Sequence, residues 1–151
     1  MNKIRVLIGP SKDEDKLYPR YDRESDILTI TSVVTSKWEY GIDINGNMVF
    51  DIDSNLVLRN VDLHIGKKMW DTGISQLWPQ NATAGCLIFS YEVIEKKSFN
   101  IPINVRYDNI QDVLRVDFGI EQKSRAILLS EDCIALLSGD LLVGFLVKSI
   151  L

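Results

Sequence analysis

Three observations predict a mainly β fold, with α+β at its margin. Short apolar runs with period-two alternation dominate the chain, punctuated by Asn, Asp and Gly. The back of the chain repeats its front: Arg20-Tyr21-Asp22 through Asp26-Ile27-Leu28 to Ile30 reappears 86 residues later as Arg106-Tyr107-Asp108 through Asp112-Val113-Leu114 to Val116. The match resumes 85 residues apart, with Gly41-Ile42 over Ala126-Ile127, Met48-Val49 over Cys133-Ile134 and Leu56-Val57-Leu58 over Leu141-Leu142-Val143. Helical spacing occurs in one stretch alone. Such a period means one structural unit used twice. The predicted architecture is therefore two tandem four-stranded antiparallel meanders related by internal duplication, with one short connecting helix.

In chain order, 3–8 is a first strand candidate and the charged stretch 11–16 a loop, so 1–19 forms an N-terminal strand and loop. The first repeat, 20–65, carries strands near 27–32, 39–44, 48–52 and 56–65. Asn45-Gly46 is a strong hairpin signal, because both residues tolerate the positive φ of a type I′ turn. Asp53-Ser54-Asn55 makes the next turn. In the connector, 66–105, Trp70, Ile74, Leu77 and Trp78 recur at helical spacing up to Pro79, which predicts an amphipathic helix over 67–78, weakened by Gly73. Strands at 86–95 and 99–105 read as a hairpin-like pair around Lys96-Lys97-Ser98, with Pro102 placing the second at an edge. The second repeat, 106–151, has strands near 113–118, 125–130, 133–137 and 141–149. The whole is expected to form one compact domain.

Hydrophobic content of 46% with 25% charged residues is that of a folded globular chain and argues against disorder. A net charge of −4, with basic residues in runs no longer than Lys67-Lys68 and Lys96-Lys97, gives no footprint for nucleic acid. Ile4 to Ile8 is too short for a signal peptide core, and no stretch approaches the roughly 20 apolar residues of a membrane span. A cytoplasmic home follows, and in it Cys86 and Cys133, each inside an apolar run, read as buried free thiols.

The two repeats differ in polarity. The first is punctuated by Asp43, Asp51, Asp53, Asp62 and His64, implying one solvated face. In the second, Leu128 stands in place of Asp43 and Leu136 in place of Asp51. Strands apolar on both faces are covered on both. Cover must come from the chain itself or from a second copy, which makes a homodimer through the second repeat, or the edge strand beside it, an expectation.

Tyr21-Asp22 with Asp26-Ile27-Leu28-Thr29-Ile30, then Val49-Phe50-Asp51-Ile52-Asp53 leading to Leu56-Val57 and Val61-Asp62-Leu63, resembles the YuzE-like family of small bacterial domains. The second repeat matches in Tyr107-Asp108, Asp112-Val113-Leu114 and Leu141-Leu142-Val143-Gly144-Phe145. The resemblance covers two stretches of about 45 residues and implies no assigned activity. Some family members are encoded beside small ribonuclease-like toxins, so the resemblance implies an antitoxin-like or immunity-like binding role.

The repeated Tyr-Asp-x3-Asp (Tyr21, Asp22, Asp26; Tyr107, Asp108, Asp112) is the strongest local motif. Paired carboxylates suit acid–base work or a hard cation. Yet Asp opening a hairpin also bonds nearby backbone N–H groups, and duplication favours that scaffold role. Asp51 to Asp62 imitates the start of an EF-hand loop but lacks the Gly at position six and the Glu at position twelve. His64 is the single histidine and has neither a nucleophile motif nor a set of zinc ligands around it. The 9 Gly are dispersed, so no phosphate loop exists. No cofactor, no metal and no catalysis are expected.

The leading reading is a non-catalytic binding protein presenting a mildly acidic β face, through Asp43, Asp51, Asp53 and Asp62, to a protein partner such as a basic toxin. Trp70 and Trp78 are further partner-binding candidates if they are not core. The alternatives are a small-molecule binder or enzyme using the cleft between the repeats, and a self-associating structural protein using the apolar second repeat.

Overall fold

Short apolar runs joined by tight turns do build a mainly β molecule. The computed structural model describes residues 3–34, 37–118 and 124–150. Its strands are β1 (Val6–Gly9), β2 (Leu17–Asp22), β3 (Ile27–Ser32), β4 (Trp38–Ile44), β5 (Met48–Asp53), β6 (Leu58–Leu63), β7 (Asp71–Thr72), β8 (Thr83–Ala84) and β9 (Cys86–Phe89). The short helix α1 (Tyr91–Lys96) follows, then β10 (Ser98–Phe99), β11 (Ile103–Asp108), β12 (Val113–Phe118), β13 (Arg125–Ser130), β14 (Cys133–Ser138) and β15 (Leu141–Lys148).

One sheet has the order β10-β4-β5-β6-β3-β2, the other β7-β11-β12-β15-β14-β13-β8. Stripped of the two-residue edge pieces, both follow one order: a hairpin, then three meandering strands of which the last pairs with the hairpin. Neither half is the simple four-stranded meander expected from sequence. β3 pairs with β6, Leu28 opposite Leu63, and not with β4. Asn45-Gly46, with φ of 54° and 71°, and the Asp53 turn are tight enough to hold β4, β5 and β6 side by side. The longer connection after β3 imposes no such neighbour, and β6 takes that edge in the Greek-key manner. One irregularity also corresponds, a bulge at the same repeat position in each half, Asp51/Ile52 and Leu136/Leu137, whereas those at Trp38/Tyr40 and Leu128/Ser130 fall at different positions.

The inner faces of the two sheets share one core, to which Leu28, Ile30, Phe50 and Val61 contribute from one side and Leu114, Phe118, Ala135 and Phe145 from the other. Phe50 makes edge contacts with Phe118 and Phe145, each at 6.0 Å between centroids. Such tilted aromatic pairs add about 0.5–1.5 kcal/mol each beyond the area they bury.

The segments outside the repeats act as clasps. β1 and β9 pair antiparallel. The β1 end bonds to the 140–142 turn region, through Val6 N to Asp140 O and Leu142 N to Ile4 O, while Phe89 N of β9 bonds to Leu56 O. Leu56 and Leu141 are equivalent repeat positions, so the ribbon ties corresponding corners of the two halves.

The helix predicted over 67–78 is absent. A 3-10 turn covers Lys67–Met69, after which Asp71 and Thr72 pair parallel with Arg106 and Tyr107 at the edge of β11. Gly73 at φ 78° ends any helical path. The expected apolar stripe disperses: Trp70 is buried, while Leu77 is 80% exposed. The hairpin expected from 86–95 and 99–105 is also absent. Ser90 accepts a hydrogen bond from Val93 N and starts α1 inside the run read as strand. β10 instead pairs parallel with Asp43-Ile44. β2 is a strand that sequence reading missed, and Pro19 sits in it at the sheet edge.

Candidate functional site

The Tyr-Asp-x3-Asp motifs share one turn and one tyrosine–aspartate hydrogen bond. Asp26 and Asp112 take positive φ, 58° and 54°, a conformation that a short polar side chain tolerates. Each is then placed to accept a hydrogen bond from the motif tyrosine, Tyr21 to Asp26 Oδ1 and Tyr107 to Asp112 Oδ1. Asp22 caps Glu24 N at 2.9 Å, and Asp108 caps Ile110 N and Gln111 N at 3.0 and 3.1 Å. These bonds to the ionised form hold the Asp22, Asp26 and Asp108 carboxyls below the usual range: Asp22 chiefly by Glu24 N, Asp26 chiefly by the Tyr21 hydroxyl, Asp108 chiefly by Gln76 N. The same contact pushes Tyr21 up to about 12, and burial does so for Tyr107.

Both motifs also grip the connector. The Asp26 carboxylate accepts Lys67 N, and Asp108 Oδ2 accepts Gln76 N. Between these anchors Trp70 lies between the two motif tyrosines, 5.3 Å from Tyr21 and 5.5 Å from Tyr107, with its indole N–H donated to Ile65 O. Trp70 is thus core, 5% exposed, and drops out as a surface candidate. With every carboxylate and hydroxyl of the motif engaged in turn and clamp bonds, the motif reads as scaffold.

The acidic candidates separate into two kinds. Asp53 is buried, accepting Asn55 N and Val57 N on one oxygen and Arg59 Nε at 2.7 Å on the other. Arg59 also pairs with Asp15 at 2.9 Å, so Asp53 belongs to a structural network and is not part of an open acidic face. Asp43, Asp51 and Asp62 do share the outer face of the first sheet, because they alternate with the inward Ile42, Phe50 and Val61. The register sets Asp62 opposite Thr29 and Val49, Val49 opposite Asp43, and Asp51 opposite Gly41 and Asn60. Asn60 Nδ2 donates to both Asp51 Oδ2 and Asp62 Oδ2, at 3.0 Å each, and Thr29 Oγ1 donates to Asp62 Oδ1 at 2.9 Å. Burial first, and then the Asp62 charge, push the Asp51 carboxyl up against the Asn60 bond. Among the described residues no cation forms an ion pair with Asp51 or Asp62. Asp43 caps Gly46 N at 3.1 Å beside them.

Sequence reasoning missed two exposed aromatics on the same sheet, Trp38 (49%) and Tyr40 (37%), at the start of β4. Trp38 just before the strand expected at 39–44 and Tyr40 within it, with Lys37 and Glu39 beside them, were the available signal. His64 is exposed, with its backbone N–H donated to Asn47 O. Cys86 and Cys133 are buried free thiols, and burial pushes both above the usual thiol range. Among the described residues no group of three or more His, Cys, Asp or Glu is placed to hold a metal ion. Among the described residues no helix is long and apolar enough to cross a membrane.

The second sheet's outer face carries a smaller apolar cluster of Val113, Ile134, Leu136 and Leu146. Trp78 and Ala82 of the connector pack on it, and Lys148 Nζ sits 4.5 Å from the Trp78 ring centre. Trp78 is half-buried cover for this sheet. Compared with known proteins, the chain matches no family model and no curated sequence.

Proposed function

We propose that the protein is a non-catalytic binding module that presents the outer face of its first sheet to a basic protein partner. The observation that carries the reading is the Asp51–Asn60–Asp62 arrangement. Two half-buried carboxylates are held on one buried amide, on the outer face of the sheet, without a cation paired to them among the described residues. A folded chain gains nothing from keeping like charges so close, whereas a Lys or Arg brought by a partner would neutralise them. Trp38, of a residue type favoured as a binding hot spot, is 49% exposed at the end of the same sheet, opposite Asp53. It takes the place of Trp70 and Trp78 as an aromatic anchor.

The resemblance to YuzE-like domains supports the same direction, with an antitoxin-like or immunity-like role in the cytoplasm and a basic toxin as the partner. Against a homodimer through the second repeat, Trp78 and Ala82 already pack on that sheet's outer face. The test is capture from the source cell at low ionic strength. Immobilised protein is expected to retain a positively charged protein that salt releases, and the Asp43→Asn/Asp51→Asn/Asp62→Asn variant to lose it. Equal retention by the variant would refute the acidic face.

A further inference from the structure

The first sheet ends on an edge that is only partly closed. β10 pairs with β4 at Asp43 and Ile44 alone, and among the described residues no strand flanks the outer side of β4 from Trp38 to Ile42. On that side Asp43 N donates to Lys97 O at 2.8 Å and Asn45 N to Phe99 O at 3.0 Å. Alternate residues of an edge strand turn their N–H and C=O outward. Gly41, two residues before Asp43, therefore directs both groups away from β5. It is exposed, and a Cβ built there would meet nothing within 4 Å.

The gap at Gly41 lies beside the acidic pair. Gly41 stands opposite Asp51, and Asp51 shares the Asn60 amide with Asp62 on the next strand. A strand added to β4 would set one outer-face residue opposite Gly41, two strand spacings, or about 9.6 Å, from Asp51. With no side chain at Gly41 in between, a Lys or Arg at that point can lie across the glycine to the Asp51 carboxylate. A second copy does not fit. Edge-to-edge pairing of two β4 strands would extend one sheet and join two acidic faces, whereas a basic segment neutralises one.

We propose that the partner docks by adding an extended segment to the open edge of β4, with a Lys or Arg opposite Gly41 reaching Asp51. This rests on the basic-partner reading of the acidic face and specifies how such a partner engages it. Main-chain bonds at Gly41 supply affinity, and the cation supplies selection.

The probe is the end-blocked peptide Thr-Val-Lys-Val-Thr, which reads the same in either strand direction. It is titrated into the full chain and followed by amide NMR. A saturable shift of the Gly41 amide is expected, with slower hydrogen exchange at that amide, a readout that needs no variant. The Thr-Val-Glu-Val-Thr counterpart, and the Lys peptide with Asp51→Asn, should each bind roughly tenfold more weakly, the effect of losing one charge-assisted bond. Gly41→Pro should abolish binding, because proline removes the outward N–H and leaves the bonds to β5 in place. Absence of a saturable Gly41 shift, unchanged exchange, or equal binding of the Glu peptide overturns the proposal. Binding lost in Asp51→Asn but kept in a folded Gly41→Pro overturns strand addition and leaves the acidic face standing. Equal binding by Asp51→Asn overturns both.

Discussion

Gly66 shows how narrowly the clamp is built. A Cβ at this position would run into the Asp26 carboxylate, which must lie there to accept Lys67 N. Gly66→Ala is therefore expected to lower the denaturation midpoint, and Asp26→Asn in the same background should not deepen the loss, since both break one contact. An equal midpoint for Gly66→Ala and parent would show the clamp to be idle. The same carboxylates set the acid limb. Asp22, Asp26 and Asp108 have folded values below the unfolded one of about 3.9, so their contribution is complete above that pH and is lost as pH falls below it. Melting temperature should drop on acidification below about pH 4, and Asp108→Asn should flatten the drop; an unflattened profile counts against the assignment. The motif residues were legible as scaffold because turn chemistry is local. That the two motifs meet at Trp70 was not, because nothing local in the sequence brings Tyr21 within contact of a residue almost fifty positions away.

Elements defined by tight turns were read well, and those defined by partners were not. β4, β5 and β6 follow from Asn45-Gly46 and the Asp53 turn. β2 escaped notice because Pro19 and its charged neighbours hide the alternation of Leu17 and Tyr21. The connector misled because its tryptophan spacing is helical, while its residues are held by β11, Asp108 and the Tyr21–Tyr107 pair. Trp70→Ala should cost about 3–5 kcal/mol, as for other buried aromatics, and Leu77→Ala nearly nothing, by denaturant unfolding. Comparable losses at both positions would restore the helix. At α1, the Ser90 cap decides where β9 ends. Ser90→Ala should cost about 1 kcal/mol, and no change in the midpoint would mean the helix is set by Val93 and Ile94 packing alone.

At the scale of the molecule, one strand order in both sheets, one matched bulge and matched hairpins are what a duplicated unit would give. The unique segments then join corresponding points: β1 and β9 at Leu56 and the 140–142 turn, the connector at Asp26 and Asp108. The order within each unit stayed hidden because pairing β6 with β3 is a long-range choice that local pattern does not encode. The acidic face was legible as alternation, except for Asp53, whose partner Arg59 turns it into structure. What distinguishes the two outer faces is that the second carries connector cover while the first holds a half-buried acidic pair. The urea midpoint of Asp51→Asn at pH 7 tests this most directly. Asp51 has a raised folded value, so its ionised form costs stability once pH passes that value, and Asn retains an oxygen for the Asn60 amide. The expected midpoint is equal to or above that of the parent, as for a charge kept for a partner. A clearly lower midpoint would make Asp51 a structural residue and contradict the binding face.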